Sequence, residues 1–361
     1  MEKRSNNNYQ YVNKSVSAKV NIRELTIKDL QEYVLEMGYE KFVGIQIFEW
    51  LHNKYEFSFD KMSNITTELR NHLKQNFYCD SVSLNKKLES DIGDVIKYLF
   101  ELKDREMVEA VAMKYKFGYS LCISAQAGCK MGCKFCASSI CDFSRNLSVT
   151  EMLDQIALVE KDKDQKINNL VLMGIGEPLE NIDNVVRLIE ILPSKYGIRL
   201  SPRKITVSTC GLVDKIYELM EHRLQITLSI SLHAPNDEIR DKIMPINKKW
   251  NIASIMKAAD DYFEVTSRRV SFEYVLIDRL NDSKENAHEL VNLLGNRICH
   301  VNLIPLNNIK ERNYKRSSAK KIAEFQQILR KSGINVTVRR NLGFDISAAC
   351  GQLRKQLLTE Q

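Results

Sequence analysis

The stretch Cys129-Lys-Met-Gly-Cys133-Lys-Phe-Cys136 sets three thiols at the spacing C-x3-C-x2-C. The 361-residue chain carries nine cysteines, and this is their one tight cluster. Three soft ligands so close together can hold a metal ion or an iron–sulfur cluster. A structural zinc site normally takes four protein ligands, and the fourth here would be Cys141 or a distant group. Three thiolates on a four-iron cluster would instead leave one iron open for a substrate or cofactor. On the residues alone both readings stand.

Working outward, the run Leu121–Gln126 reads as a strand that ends just before the cluster. A regular alternation follows. Helix Thr150–Glu160 precedes strand Asn169–Met173, and Asn184–Ile191 precedes Lys204–Ser208. Val213–Glu221 precedes Gln225–Leu232, and Ile252–Phe263 precedes Val270–Leu276. Ser283–Leu294 precedes His300–Ile304, and Ala319–Lys331 precedes Asn335–Arg339. Strands alternating with helices mean βαβ units on a parallel sheet. About six such units fit a full or partial barrel, in which chemistry gathers at the C-terminal ends of the strands.

Those ends carry polar and reactive groups. Met173-Gly-Ile-Gly176-Glu177-Pro178 offers glycines that let a ligand approach the backbone and a carboxylate that can accept hydrogen bonds from an ammonium. Ser208-Thr-Cys-Gly211, Ser231-Leu232-His233-Ala-Pro235 and Ile304-Pro-Leu-Asn307-Asn308 follow later strands. After the last strand comes Ala348-Ala-Cys350-Gly-Gln352. A buried cysteine is usually a small hydrophobe, yet Cys350 falls where the site should be, and Cys122 lies seven residues before the cluster.

Upstream, Val95–Leu102 and Met107–Tyr115 flank the charged turn Lys103-Asp-Arg105 and predict a β-hairpin. Leu30, Val34, Leu35 and Met37 predict one amphipathic helix, Ile45, Ile47, Phe48 and Leu51 a second, and Leu69, Leu73 and Phe77 a third. Lys41, Lys54, Lys61, Arg70 and Lys74 decorate this block, as a solvated surface or as an RNA-docking one. The expected domains are a disordered lead-in over 1–22, a helical RNA-docking domain over 23–90, a hairpin linker over 91–120, a barrel over 121–355 and a tail over 356–361.

Hydrophobic residues make up 44% and charged residues 27%, as in a globular, soluble chain. No apolar run approaches a membrane span, and Met1-Glu-Lys-Arg-Ser-Asn lacks the apolar core of a secretory signal. Nine cysteines without an export signal fit a reducing cytoplasm, with free or metal-bound thiols and only transient disulfides. The net charge of +7 permits a polyanionic partner such as RNA without establishing one.

Taken together, Leu121-Cys-Ile-Ser-Ala-Gln-Ala-Gly-Cys-Lys-Met-Gly-Cys-Lys-Phe-Cys-Ala, Gly-Ile-Gly-Glu-Pro-Leu, Ser231-Leu-His-Ala-Pro-Asn-Asp, Met244-Pro-Ile-Asn, Asn302-Leu-Ile-Pro and Ala348-Ala-Cys-Gly-Gln-Leu resemble the radical S-adenosylmethionine (SAM) RNA adenine methyltransferases. That family holds the RlmN type, which methylates adenine C2 in 23S rRNA and certain tRNAs, and the Cfr type, which methylates C8. The resemblance spans roughly residues 25 to 355. It implies an α/β fold, a partial (β/α)6-type radical SAM barrel with a small N-terminal helical domain and a linking hairpin. It implies a [4Fe–4S] cluster on Cys129, Cys133 and Cys136, and SAM contacts from Gly176, Glu177, Ser208, Ser231, Leu232, His233 and Asn307.

It further implies that Cys350 is methylated by a first SAM. A second SAM supplies the radical that activates that methyl group for addition to the adenine ring. Cys122 resolves the resulting protein–RNA link through a transient disulfide with Cys350, and Glu109 accepts the proton. The implied partners are 23S rRNA, tRNA and an electron donor such as flavodoxin or ferredoxin, for a monomeric cytoplasmic enzyme without a membrane partner. Pro178 and the run Leu303-Ile-Pro305-Leu-Asn307 resemble the C2 type. Ile175, the run Asp345-Ile-Ser347 and the extra Cys141 and Cys210 depart from the family pattern, and none of them removes a catalytic residue. The contrasting expectation is a non-catalytic, zinc-containing RNA-binding protein.

Overall fold

The computed structural model describes residues 19–140, 142–307, 309, 311–339, 343, 345–348, 351 and 352. Of the lead-in expected over 1–22, residues 1–18 lie outside the described residues, as do the tail, Cys141, Asn308 and Cys350, whereas Val20–Asn21 form a short strand and Ile22 opens a helical turn. The chain forms two compact units, one of residues 1–82, 148–166 and 187–201, the other of residues 83–147, 167–186 and 202–361.

The first unit holds helices α1 (Ile27–Glu36), α2 (Lys41–His52) and α3 (Thr67–Asn76). Thr26 starts α1 with a capping box to Asp29, and the Thr66 hydroxyl caps α3, so these two helices begin where a side-chain oxygen takes up an orphan N–H. Leu30 and Val34 are buried as their spacing predicts, but Leu35 is 43% exposed because it falls one residue off the i, i+4 stripe. Phe77 leaves the third helix and joins a two-residue parallel pairing with Val20–Asn21. A fourth helix, α4 (Val149–Lys163), far away in sequence, belongs to this same unit. Arg23 pairs with Asp154 of α4, Tyr55 donates to Glu160, and the Thr150 hydroxyl donates to Glu24 across 3.1 Å.

The second unit is organised by one ten-stranded sheet. Its strands are β1 (Ser83–Glu89), β2 (Val95–Glu101), β3 (Met107–Tyr115), β4 (Gly118–Cys122), β5 (Ile167–Leu172), β6 (Ile205–Thr209), β7 (Thr227–Ser231), β8 (Val270–Leu276), β9 (Cys299–Pro305) and β10 (Val336–Val338). They lie in simple chain order across the sheet. From β4 to β10 every pairing is parallel, as six crossovers require. The crossovers run through α4, then α5 (Ile182–Ile191), α6 (Val213–Glu221), the pair α7 (Asp237–Ile243) and α8 (Ile252–Thr266), α9 (Lys284–Leu294) and α10 (Ala319–Lys331). This is the predicted six-unit partial barrel, with seven parallel strands and Val336–Val338 at one edge of the sheet. The fully buried run of β8 fits a strand covered on both faces.

The hairpin over 95–115 is more than a connection. β1 to β4 pair antiparallel and extend the barrel sheet itself. The strand before the cysteine cluster starts at Gly118 and ends at Cys122, earlier than the predicted 121–126. Beyond Cys122 the backbone turns its hydrogen bonds onto the next strand end instead, Ala125 N–H to Ile175 O at 3.0 Å.

Candidate active site

At the C-terminal ends of β5 to β9 lies one cavity of about 160 Å3. Its walls include Cys129, Cys133, Cys136, Gly176, Glu177, Ser208, Ser231, His233 and Asn307. Residues separated by 178 positions in the sequence are thus gathered because each lies at or beyond the C-terminal end of a parallel strand. The count is the span from Cys129 to Asn307.

Burial decides the state of these groups. It pushes the Cys129 thiol up to about 12 and raises Cys133 further, and in each case a neighbouring thiol adds to the rise. Metal-free, the thiols hold their protons, and binding of a soft metal centre would release them. Among the described residues no three His, Cys, Asp or Glu side chains converge as a single-ion site requires. Three thiols on one cavity wall can each give one thiolate to an iron of a cluster.

Glu177 is 3% exposed, and burial raises its carboxyl above the usual range. Its Oε2 accepts from the Cys210 N–H at 2.7 Å and its Oε1 from the Leu179 N–H at 3.0 Å. Those donors fix the carboxylate and favour its charged form. Gly176 has φ +102, and a Cβ there would collide with the Gln126 side chain. That side chain in turn accepts from the Glu177 N–H at 2.8 Å. Glycine at 176 is what lets the backbone carry Glu177 to the wall.

His233 adopts a left-handed φ of 58, uncommon for a side chain with a Cβ. Its Nδ1 accepts from the Val275 N–H at 3.0 Å, so Nε2 carries the proton in the neutral ring. Burial, with Arg240 adding to it, lowers His233 to about 3. The ring meets Phe135, between two cluster cysteines, edge-on at 4.7 Å.

Three expected residues stand apart from the wall. Leu232 is fully buried, and its carbonyl accepts from Arg240 Nε at 3.1 Å. Cys122 is buried and packed with Val111, Met113, Ile175 and Ala348. Glu109 is buried beside Lys97, 3.1 Å away. Cys350 is outside the described residues, but its sequence neighbours bracket the site: Ala348 packs against Cys122, and the Gly351 carbonyl accepts from Ala137 N–H at 2.7 Å. The strand-end rule missed Cys210, Glu273, Arg339 and Met244, which also line the cavity, and Arg240 behind it. Cys210 sat within a quoted strand-end motif. Arg240 had no such signal, because it reaches the site from a crossover helix.

A partial six-unit barrel with three cysteines after its first parallel strand defines a radical SAM enzyme. The Radical SAM superfamily model matches residues 123–291, and the ribosomal RNA large subunit methyltransferase N-terminal domain model matches residues 20–79. A probable dual-specificity RNA methyltransferase RlmN of Caldanaerobacter subterraneus subsp. tengcongensis is 46% identical, covering 94% of this chain and 99% of that protein. A namesake from Clostridium novyi is 46% identical over 94% of this chain and 98% of its own length. The crystal structure of a radical SAM methyltransferase from Sphaerobacter thermophilus superposes with a TM-score of 0.87 at 39% identity, covering 93% of this chain and all of that one. The chain belongs to the RlmN family of radical SAM RNA methyltransferases, whose cofactors are a [4Fe–4S] cluster and SAM. The non-catalytic zinc-protein expectation is thereby overturned. Among the described residues no helix is long and apolar enough to cross a membrane.

Proposed function

We propose that this enzyme methylates C2 of a specific adenosine in 23S rRNA, at the peptidyl transferase centre, and of an adenosine beside the anticodon in tRNA. The observation that carries the reading is the single cavity in which Cys129, Cys133 and Cys136 face Glu177, Ser208, Ser231, His233 and Asn307. When bound there, cluster and SAM supply one-electron chemistry that an electron-poor adenine carbon needs, since ordinary methyl transfer to it fails.

The chain's own residues do the rest. The three thiols hold the cluster. Glu177, pinned by two backbone N–H groups, takes the SAM ammonium. Ser208, Ser231, Asn307 and His233 orient the rest of the cofactor, and apolar walls exclude water. Cys350 carries the methyl group, Cys122 releases the product from it, and Glu109 takes the proton. The packing of Ala348 on Cys122 supports a shared location for the two cysteines. Pro178, which opens the short helical turn capped by Glu177, supports the C2 outcome through its resemblance to that type. RNA is the substrate, docked by the helical region that carries Lys41, Lys54, Lys61, Arg70 and Lys74, and a flavodoxin or ferredoxin delivers the electron.

Reconstituted enzyme on unmodified 23S rRNA and tRNA, followed by nucleoside mass spectrometry, tests this. The expected product is 2-methyladenosine, absent with Cys350→Ala although that variant keeps its iron. Recovery of 8-methyladenosine would establish the alternative regiochemistry. Normal turnover by Cys350→Ala would refute the methyl-carrying cysteine.

A further inference from the structure

Arg240 of α7 is fully buried, and its guanidinium is held by five oxygens. Nε donates to Leu232 O at 3.1 Å, and Nη1 to Asn247 Oδ1 at 2.9 Å and Trp250 O at 3.3 Å. Nη2 donates to Cys210 O at 2.7 Å and Ser231 O at 3.1 Å. All five acceptors are neutral. Among the described residues no carboxylate forms an ion pair with this cation. Asp237 and Asp241 offset its charge in part from a distance, and Asn247, whose Nδ2 donates to them at 3.0 and 2.8 Å, stands between.

A buried charge without a direct counter-ion is costly. Its surroundings show where a negative charge can meet it. Cys210 and Ser231, whose carbonyls it grips, line the cavity with the three thiols. Ile243, the last residue of α7, accepts from the Lys134 N–H at 2.9 Å, between Cys133 and Cys136. The cluster loop and Arg240 are therefore fastened to one short helix, less than a turn apart.

We infer that Arg240 is a positioning residue that locks the ends of β6 and β7 against the cavity and whose charge, in contact with no carboxylate, raises the reduction potential of the cluster. The inference rests on the family's cluster. An incoming electron from a low-potential one-electron donor adds one negative charge to the cluster and breaks or forms no bond at Arg240. A cation in a low-dielectric surround stabilises that reduced state.

The test is an EPR-monitored redox titration, with dithionite as reductant, on reconstituted full-length enzyme whose iron content is verified. Arg240→Gln should be at least tenfold harder to reduce, a fall of about 59 mV for one electron. Arg240→Lys, which keeps the charge but not the five-bond clamp, should stay near the wild-type midpoint. A full cluster in Arg240→Gln with an unmoved midpoint overturns the inference, as does an equal fall in Arg240→Lys. Should Arg240→Gln not retain iron, Asp241→Asn decides: removing that opposing charge should raise the midpoint, and an unchanged or lowered value overturns the inference. Wild-type protein that assembles no cluster would instead undo the site reading itself.

Discussion

Two buried arginines show how differently one side chain is used in the two units. Arg23, in the helical unit, is 1% exposed and pairs with Asp154, itself 0% exposed. Arg240, in the barrel unit, is equally buried but meets only carbonyl and amide oxygens. Each lies near a buried histidine, and each adds to the effect of burial in lowering it, His52 in the first case and His233 in the second. The first cation is neutralised where it stands and ties an N-terminal segment to α4. The second keeps its field for the cavity.

Removing the counter-ion breaks the comparison most strongly. Asp154→Asn leaves Arg23 charged and buried and should cost about 3–5 kcal/mol, read by chemical denaturation. The double change Arg23→Met with Asp154→Leu should recover most of that, because replacing a buried pair by apolar groups is often neutral. A single variant that loses under about 1 kcal/mol would show that Arg23 is not held by Asp154.

Next is Glu177→Gln, which keeps the shape and removes the charge. A charge-assisted hydrogen bond is worth about 1.5–3 kcal/mol, so SAM should bind roughly 10- to 100-fold more weakly to the reconstituted enzyme. Equilibrium titration with SAM checks this, and unchanged affinity would remove Glu177 from the site.

The difference between the arginines also explains what the sequence could reveal. Periodicity and the order of strands and helices gave the barrel, because a parallel sheet forces a crossover between strands. The strand-end rule found Cys129, Glu177, Ser208 and His233, because the backbone delivers the residue after a strand to the same rim. Neither rule could find Arg240 or Asp154. Both act from helices, and a charged residue on an amphipathic helix ordinarily reads as solvated surface. Nor did spacing show that α4 joins the N-terminal helices, since Arg23 and Asp154 are 131 positions apart. Leu35 was misplaced for a simpler reason: one residue along a helix rotates a side chain by about 100°.

Acid should act on both units through the histidines. His233 has its folded value lowered to about 3, from an ordinary 6.5. Between those values the unfolded chain binds the proton and the folded chain does not, so stability rises with pH there and is fully present above about pH 6.5. Falling pH through that window should therefore weaken the fold. His233→Gln, or His52→Gln in the other unit, should flatten the slope of denaturation midpoint against pH between about 4 and 6. Unchanged slopes in both would place the acid sensitivity on carboxylates instead.

The smallest effect is expected at Asn247→Ala, and it separates the two roles of Arg240. The change removes one of five acceptors, while Trp250 O remains on the same Nη1. It also frees Asp241 from its hydrogen bond with Asn247, whereas Asp237 still accepts from the Ile252 N–H at 2.9 Å. The loss of stability should be about 1 kcal/mol, the worth of an ordinary hydrogen bond. The guanidinium charge and its grip on Cys210 and Ser231 stay in place, so SAM affinity should hold within about twofold, well under the tenfold that 1.4 kcal/mol represents. Titration calorimetry and denaturation on the same preparation read both numbers. A tenfold loss of SAM affinity alongside that modest destabilisation would mean that the amide, rather than the carbonyls of the strand ends, is what keeps Arg240 aimed at the cavity.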